Sequence, residues 1–242
     1  MQLAGLDLAW HSNSNASAVA YGELQDALVV TRVDSALYSH DLVEGSLDSM
    51  GALTGIAIDA PLIIQNETGQ RPCERRLSAD YGNRKIGCHA SNHRLYPDAL
   101  SVALSERLTG QGFDHLGRER GRWQLECYPH PSIVELFGLA ERLKYKKGRV
   151  DAKRLGQIHL AELLRNGLRH LPFDVRFSDR ILHHFDPERI LRLRGKALKE
   201  NEDALDSVVC LLIAALYAVG NRGNLYGDTA CGYIWVPVDV AA

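Results

Sequence analysis

Blocks of apolar residues recur through the first third of the chain, and they predict a sheet. Residues 3–9 are a nearly continuous apolar run, which is typical of a central strand that is buried on both faces. Residues 16–23 and 27–33 follow as shorter apolar runs separated by polar positions. The short spacing between these runs predicts three consecutive strands joined by tight turns.

A change of period follows the third strand. Within residues 38–50 the apolar side chains recur at helical spacing, which predicts a helix. Residues 54–59 return to an apolar run, and Pro61 ends it because proline cannot continue a central ladder. The order of three strands, a helix and a strand predicts an antiparallel three-strand meander that continues into parallel strands.

The second half of the chain is less regular. Residues 62–121 contain one clear helix at 98–109 and are predicted to be an insertion, because long irregular segments in compact domains are usually functional or mobile. A fifth strand is predicted at 122–128, extra helices at about 140–200, and a last short strand at 233–238. We therefore predict one α/β domain over residues 1–242, with a mixed five-stranded sheet flanked by helices.

Composition limits the classes of protein. The chain has 242 residues, of which 45% are hydrophobic and 24% charged, as in ordinary globular proteins. No apolar run reaches the roughly 18 residues of a membrane span, and the start lacks the basic region of a secretory signal. Five scattered cysteines without a Cys-x-x-Cys motif fit a reduced protein. We expect a cytoplasmic protein with no membrane partner.

Positive charge is concentrated in residues 142–154, which hold seven basic residues and one acidic residue although the whole chain has a net charge of −2. A solvated helix face would explain such a run by itself. In the same chain as an acidic centre, it favours a phosphate-bearing partner, namely RNA or DNA. Lys144, Lys146 and Lys147 are the predicted substrate-binding residues of this run.

Two acids stand at or near the ends of predicted strands. Asp7 lies inside the first apolar run, and Asp59 ends the fourth. Because side chains alternate along a strand, Gly5 shares the face of Asp7 and Gly55 shares the face of Asp59. The small neighbours predict space for a metal ion and substrate beside each carboxylate. An aspartate that caps a loop is the alternative for either residue alone.

Two further acids precede a long apolar stretch. Asp203 and Asp206 are three residues apart, so a helix that they open places both carboxylates on one side. Like charges this close repel each other, and a divalent cation is a natural compensation. Asp203 is also explained by the helix dipole, which favours an acid in the first turn. Asp206 has no such explanation.

A third group combines one acid with two arginines. Glu126 lies on the fifth predicted strand and is a candidate ligand, general base or partner of an arginine. Arg71 and Arg75 could hold phosphate oxygens through bidentate hydrogen bonds. A surface helix start with salt bridges explains the same two arginines. The spacing of His89 and His93 permits two metal ligands on a helix, but the pair has no further ligand set beside it. A Gly-x-Ser-x-Gly elbow and phosphate-binding glycine loops are not found in the sequence.

Six short motifs occur in an order and spacing that resemble a known family. They are Gly5-Leu-Asp7, Ile58-Asp59-Ala-Pro61, Arg71-Pro-Cys-Glu-Arg75, Glu126-Cys-Tyr-Pro129, Glu202-Asp203-Ala-Leu-Asp206 and Gly232-Tyr-Ile-Trp-Val-Pro237. The chain resembles the predicted RNase H-like nucleases known as domain-of-unknown-function family 429. Its Asp-x-x-Asp on the last long helix also resembles RuvC-type junction resolvases. The resemblance implies an RNase H-like fold and a carboxylate cluster of the nuclease type.

The leading hypothesis is a metal-dependent nuclease. Asp7, Asp59, Asp203 and Asp206 would hold two Mg²⁺ or Mn²⁺ ions, and Asp7 would bridge them. Asp7, Asp59, Glu126 and Asp206 are the predicted catalytic residues. Asp59 departs from the glutamate that RNase H and RuvC-type enzymes usually have. The alternatives are a non-catalytic RNase H-like module and a nucleotide-binding protein of the phosphotransferase or ATPase type.

Overall fold

The computed structural model describes residues 1–10 and 15–240. Its centre is a seven-stranded mixed sheet, and a two-stranded hairpin lies beside it. In chain order the strands are β1 (Gln2–Asp7), β2 (Ser17–Leu24), β3 (Ala27–Leu37), β4 (Leu53–Asp59), β5 (Asp114–His115), β6 (Trp123–Glu126), β7 (Asp174–Phe177), β8 (Gly223–Asp228) and β9 (Gly232–Pro237).

Helices cover both faces of the sheet. They are α1 (His40–Asp48), α2 (Pro72–Tyr81), α3 (Leu100–Gly110), α4 (Pro129–Phe137), α5 (Val150–Asn166), α6 (Pro187–Arg192) and α7 (Gly195–Ala218). Two 3₁₀ segments at Gly82–Arg84 and Asp179–Phe185 complete the regular structure. Among the described residues, no helix has the length and apolar content that crossing a membrane requires.

The strand order in the sheet is β5-β6-β4-β1-β2-β3-β7. The first three strands form the predicted antiparallel meander, and β4 joins β1 in parallel while β6 joins β4 in parallel. The predicted count of five strands is wrong, since β5 and β7 add one parallel strand at each edge. The predicted last strand lies outside this sheet, because β9 pairs with β8 in the hairpin.

The two faces of the sheet carry separate apolar cores because side chains alternate along each strand. Leu3 and Ala57 face the core that includes α5 and α7, whereas Leu6 and Ile58 face the core that includes α1 and α3. A third cluster joins α2 to the β8–β9 hairpin. The faces of β1 and β4 are therefore fixed, and with them the direction of every side chain at the strand ends.

Helix α7 begins at Gly195, so the prediction that Asp203 opens this helix is wrong. Both aspartates lie well inside the helix and are buried, with 1% of Asp203 and none of Asp206 exposed. The helix dipole acts mainly on the first turn and does not explain an acid at this depth. The helix crosses the sheet over β1, and its acids face the carboxyl end of that strand.

Candidate functional site

Two aspartates stand side by side at the carboxyl edge of the sheet. Strands β1 and β4 run parallel, and their register pairs Asp7 with Asp59. Each aspartate is the last residue of its strand, and each is half-buried. Open α/β sheets bind ligands outside the carboxyl ends of their strands, so this edge is the first place to look for chemistry.

Helix α7 brings two more aspartates to the same edge, and each has a lysine partner. Asp206 accepts a hydrogen bond of 2.6 Å from the hydroxyl of Tyr145, and its Oδ2 lies 2.7 Å from Lys146 Nζ. The same ammonium lies 4.0 Å from Asp59 Oδ2. Asp203 is paired with Lys199, which also bonds Glu202 at 2.8 Å. All four predicted metal ligands therefore lie in one charged cluster.

The predicted space beside the acids is occupied. A Cβ atom at Gly5 would lie 2.0 Å from the backbone nitrogen of Leu211 and 2.3 Å from the carbonyl oxygen of Ser207. A Cβ atom at Gly55 would lie 2.1 Å from the ring of Trp123. The two glycines admit a helix backbone and an indole ring, not a metal ion. The space for a ligand lies beyond the strand ends.

Glu126 lies on the other face of the sheet from Asp7 and Asp59. Its register partner on β4 is Ile58, whose side chain faces the core of α1 and α3. Both carboxylate oxygens bond Arg71, at 2.5 and 2.9 Å, and Oε2 also accepts the backbone N–H of Leu62 at 2.9 Å. Of the alternatives that the sequence left open, the structure shows the arginine pair.

Arg71 itself is buried, with 1% of its surface exposed. Its guanidinium also donates to Glu74 at 2.8 Å and to the carbonyl of Ile63 at 2.9 Å. Arg71 is the N-cap of α2 and forms two salt bridges, as the alternative of a helix start has it, but it is buried and does not lie on the surface. Arg75 is exposed and donates to the carbonyl of Gln70 at 2.5 Å.

The basic run does not form one continuous surface. Lys144 and Lys147 are exposed, and Lys146 is turned inward to Asp206. Further along, Arg154 is buried and pairs with Asp151 at 2.9 Å. Four of the seven basic residues line a cavity, and the other three do not.

The cavity has a volume of about 340 Å³ and opens at the carboxyl edge of the sheet. Of the four aspartates, Asp7 and Asp59 line it, whereas Asp203 and Asp206 do not. Other lining residues are Trp10, Arg71, Glu74, Cys88, His89, Glu126, Cys127, Tyr128, His130, Arg142, Leu143, Lys144, Tyr145, Lys146, Lys147 and Ile234.

Comparison with known proteins places the chain in a family. A family model described as "Protein of unknown function (DUF429)" matches residues 5–230. The chain belongs to this family. No curated protein and no solved structure matches it. The predicted resemblance to domain-of-unknown-function family 429 is thereby confirmed, and the nuclease activity that the resemblance implies stays a prediction.

Burial and mutual repulsion raise the pKa values of three acids in this DUF429 protein. Burial and the charge of Asp206 raise the pKa of Asp7. Burial raises the pKa of Asp59 well above its usual range, against the attraction of Lys146. Burial and the charge of Asp7 likewise raise the pKa of Asp203. Such shifts are typical of functional sites, where charges are held close together.

The pKa values of the two lysines are also raised, and for a base this shift favours the charged form. Burial disfavours the ammonium of Lys146, but the negative charges of Asp206 and Asp59 outweigh this effect and raise the pKa of Lys146 well above its usual value. Burial also opposes the charge of Lys199, and its pKa is raised because Asp7 and Asp203 are close. Both lysines are therefore cationic at neutral pH.

The donor chemistry of the cluster fits a hard divalent cation. Carboxylate oxygens are the ligands that Mg²⁺ and Mn²⁺ prefer, and Oδ2 of Asp206 now accepts the ammonium of Lys146 at 2.7 Å. As placed in residues 1–10 and 15–240, no three His, Cys, Asp or Glu side chains could hold a metal ion. A cation that binds between Asp59 and Asp206 has to displace the ammonium of Lys146.

Sequence reasoning missed Lys199 and His130. Lys199 precedes Asp203 by four residues, the spacing of an ion pair on a helix. That signal was lost because the helix was predicted to begin at Asp203. His130 lines the cavity from the first turn of α4. Only the fold brings it there, and no local sequence signal marks it.

Proposed function

We propose that this protein is a divalent-metal-dependent phosphodiester hydrolase, a nuclease. The observation that carries the proposal is the convergence of Asp7 and Asp59 with two aspartates of α7. Four acids held close together against burial and repulsion are otherwise costly to the fold. The order β3-β2-β1-β4-β6 within the sheet also supports an RNase H-like core, because it combines an antiparallel meander with two parallel strands.

The residues that would hold the cations are Asp7 and Asp59 together with Asp203 and Asp206. Two bound Mg²⁺ or Mn²⁺ ions would supply an activated water and stabilise the leaving oxygen of a phosphodiester. Asp7 and Asp59 face the cavity, so they stand nearest to a substrate. The two helix acids lie behind them and set the charge of the cluster.

The chain's own residues have two further roles in this proposal. Arg142, Lys146 and Lys147 line the cavity and attract the phosphate group of the substrate. Arg71 and Glu126 act as a buried brace, because Glu126 binds the N–H of Leu62 just after the end of β4. The brace positions the segment that follows Asp59. We therefore assign Arg71 and Glu126 to positioning and not to contact with substrate.

The experiment is a hydrolysis assay of the purified protein with Mg²⁺ or Mn²⁺ on single-stranded, duplex, hybrid and junction nucleic acids. We expect cleavage by the wild type and a loss of at least about 100-fold in Asp7→Asn, since removal of a group that stabilises charge in the transition state costs on this scale. The control is Asp26→Asn, which changes an exposed aspartate in the turn between β2 and β3. Full activity in Asp7→Asn would refute the assignment.

A non-catalytic binding module is the second candidate, and the lysine pairs favour it. Lys146 and Lys199 compensate part of the acidic charge within the protein itself. In that case the protein cleaves none of the four substrates, and Mn²⁺ does not change its melting temperature. A phosphotransferase or ATPase would instead show nucleotide binding with turnover of the nucleotide.

A further inference from the structure

The cavity beside the acids has the size of a small-molecule site. Its volume of about 340 Å³ lies at the lower end of the roughly 300–1,000 Å³ that such sites span. A duplex is read over an extended surface, and specific protein–DNA interfaces bury about 1,000–2,500 Å² of protein. One nucleotide unit can enter a cavity of this size, whereas the interior of a duplex cannot.

The distribution of charge also favours a small ligand over a duplex. A surface that binds duplex nucleic acid usually carries a basic stripe, and such domains have a pI above about 9. The sequence pI here is about 6.5. Arg142, Lys146 and Lys147 line the cavity together, whereas the later basic residues of the same run lie outside it. The positive potential is therefore concentrated where a single phosphate group would sit.

Flat rings lie at the cavity as well. Trp10 is held near Asp59, since its ring nitrogen lies 3.4 Å from the Asp59 carbonyl. The rings of Tyr128 and His130 also line the cavity and are in edge contact, with centroids 5.8 Å apart. Unpaired bases are bound by stacking on such rings.

His130 offers a polar group that the protein does not use. Its Nδ1 atom is buried and has no hydrogen-bond partner. Burial and the charges of Lys146 and Arg142 lower the pKa of His130 well below its usual value. The ring is therefore neutral and suited to hydrogen bonding with a base or sugar.

We propose that the cavity binds one nucleoside monophosphate unit, with its phosphate toward Arg142 and Lys146 and its base against the rings that line the cavity. The unit is either a free mononucleotide or the terminal nucleotide of a single strand. The reaction at that unit rests on the proposed nuclease function, whereas its binding does not.

The test is isothermal titration calorimetry without divalent metal, in the presence of a chelator. The probes are a nucleoside monophosphate, the matching nucleoside, inorganic phosphate, a 5′-phosphorylated single-stranded pentamer and a blunt duplex. We expect the monophosphate to bind at least about tenfold more tightly than either of its parts, because it contacts both the basic residues and the rings of the cavity. A pentamer that binds as well as the monophosphate identifies a strand end, and a pentamer that does not bind identifies the free nucleotide.

Two variants localise the binding. Arg142→Ala should weaken the monophosphate at least about fivefold, and His130→Phe should weaken it while leaving inorganic phosphate unchanged. Arg149→Ala is the control, since Arg149 is an exposed residue of the same basic run that does not line the cavity. It should bind as the wild type does.

The outcomes separate the two proposals. Equal affinity for inorganic phosphate and monophosphate, or tighter binding of the blunt duplex, would overturn the inference. Binding of the monophosphate without hydrolysis of any nucleic acid would leave the inference standing and reject the nuclease. Hydrolysis within a duplex without binding of the monophosphate would do the reverse.

Discussion

Lys146 places an ammonium group between two carboxylates that a divalent cation would also use. It lies 2.7 Å from Asp206 and 4.0 Å from Asp59. Its side chain is 22% exposed, so it can swing toward the cavity without unfolding the chain. At the scale of single residues, the proposed metal site would bind an ion only in competition with this lysine.

We therefore predict that Lys146→Met binds Mn²⁺ at least about tenfold more tightly than the wild type, which corresponds to about 1.4 kcal/mol. Methionine keeps much of the aliphatic length and removes the competing charge. The measurement is calorimetric titration with Mn²⁺ in the absence of substrate. Lys144→Met is the control, because Lys144 is 66% exposed and lies near Glu141. Unchanged Mn²⁺ affinity in Lys146→Met would show that the ammonium does not occupy the ion's position.

A second prediction concerns the energetic cost of Asp7. Its pKa is raised by burial and by Asp206, so the ionised carboxylate destabilises the fold and stability is lost as pH rises through the folded pKa. At neutral pH, Asp7→Asn should raise the melting temperature, by about 2–4 °C for each kcal/mol that is relieved. Differential scanning calorimetry measures the melting temperature, with Asp26→Asn as the control. A lower melting temperature in Asp7→Asn would identify Asp7 as structural.

At the scale of elements, the contact between β1 and α7 determines the geometry of the site. Gly5 lies under Ser207 and Leu211, so strand and helix meet backbone to backbone. Asp7 follows Gly5 by two residues, and Asp206 immediately precedes Ser207. The close contact therefore fixes the separation of the acids on the two elements.

Gly5→Ala should destabilise the protein by about 3 kcal/mol or more, because overpacking of a well-packed contact costs about 1–3 kcal/mol even where side chains can move. Here the atoms that a Cβ would meet belong to the backbone of a helix. Urea denaturation measures the free energy of unfolding. Gly45→Ala is the control, since no atom lies within 4 Å of that position in α1, and alanine is favoured in a helix. Equal stability of the two variants would contradict the close contact.

Strong apolar runs made most of the inner strands predictable, whereas the edge strands were missed because they lack such runs. Strands β1 to β4 follow such runs, whereas β6 alternates apolar and polar residues. Each of the five was predicted within a few residues, apart from the longer end of β3. Strand β5 has two residues, and β7 is an edge strand that alternates between exposed and half-buried positions. Neither carries enough buried apolar surface to stand out from a loop. The same weakness hid the start of α7, whose first turns are mostly polar.

At the scale of the whole molecule, the acids could be predicted to meet, but the presence of Lys146 among them could not. Asp7 and Asp59 end parallel strands, and this arrangement follows from the strand order alone. Lys146 lies in an irregular segment whose position depends on tertiary packing. A Cβ at Gly156 would lie 2.0 Å from the carbonyl oxygen of Lys144, so α5 holds this segment against the site. Gly156 lies in a helix and Lys144 in an irregular segment, so no repeat in the sequence predicts the contact between them.

The pH dependence of global stability also has a contribution from His184, which lies against Asn201 of α7. His184 is 5% exposed, and burial together with His183 lowers its pKa to about 4. Because the folded pKa is depressed below the ordinary value of 6.5, the unfolded chain takes up the proton first as pH falls. The stability that neutral His184 contributes is present above about pH 6.5 and is lost toward pH 4.

His184→Gln should therefore lose less stability than the wild type between pH 6.5 and pH 4, by an amount on the order of 3 kcal/mol. The raised pKa values of Asp7 and Asp203 act in the opposite sense in both proteins, so the difference isolates His184. Urea denaturation at a series of pH values measures it. His159→Gln changes an exposed histidine of α5 and should follow the wild type. Parallel curves for His184→Gln and the wild type would contradict the prediction.

The contact at Gly5 also sets a lower limit to the distance between α7 and β1. With helix backbone resting on strand backbone, α7 cannot approach β1 any further. In the proposed metal site, the carboxylates would therefore adapt to a smaller metal ion by rotation of the aspartate side chains, and not by movement of α7. The reach of each carboxylate, and not the distance between strand and helix, is the adjustable dimension of this site. The aspartate at position 59 gives its carboxylate a reach that is one methylene group shorter than that of a glutamate.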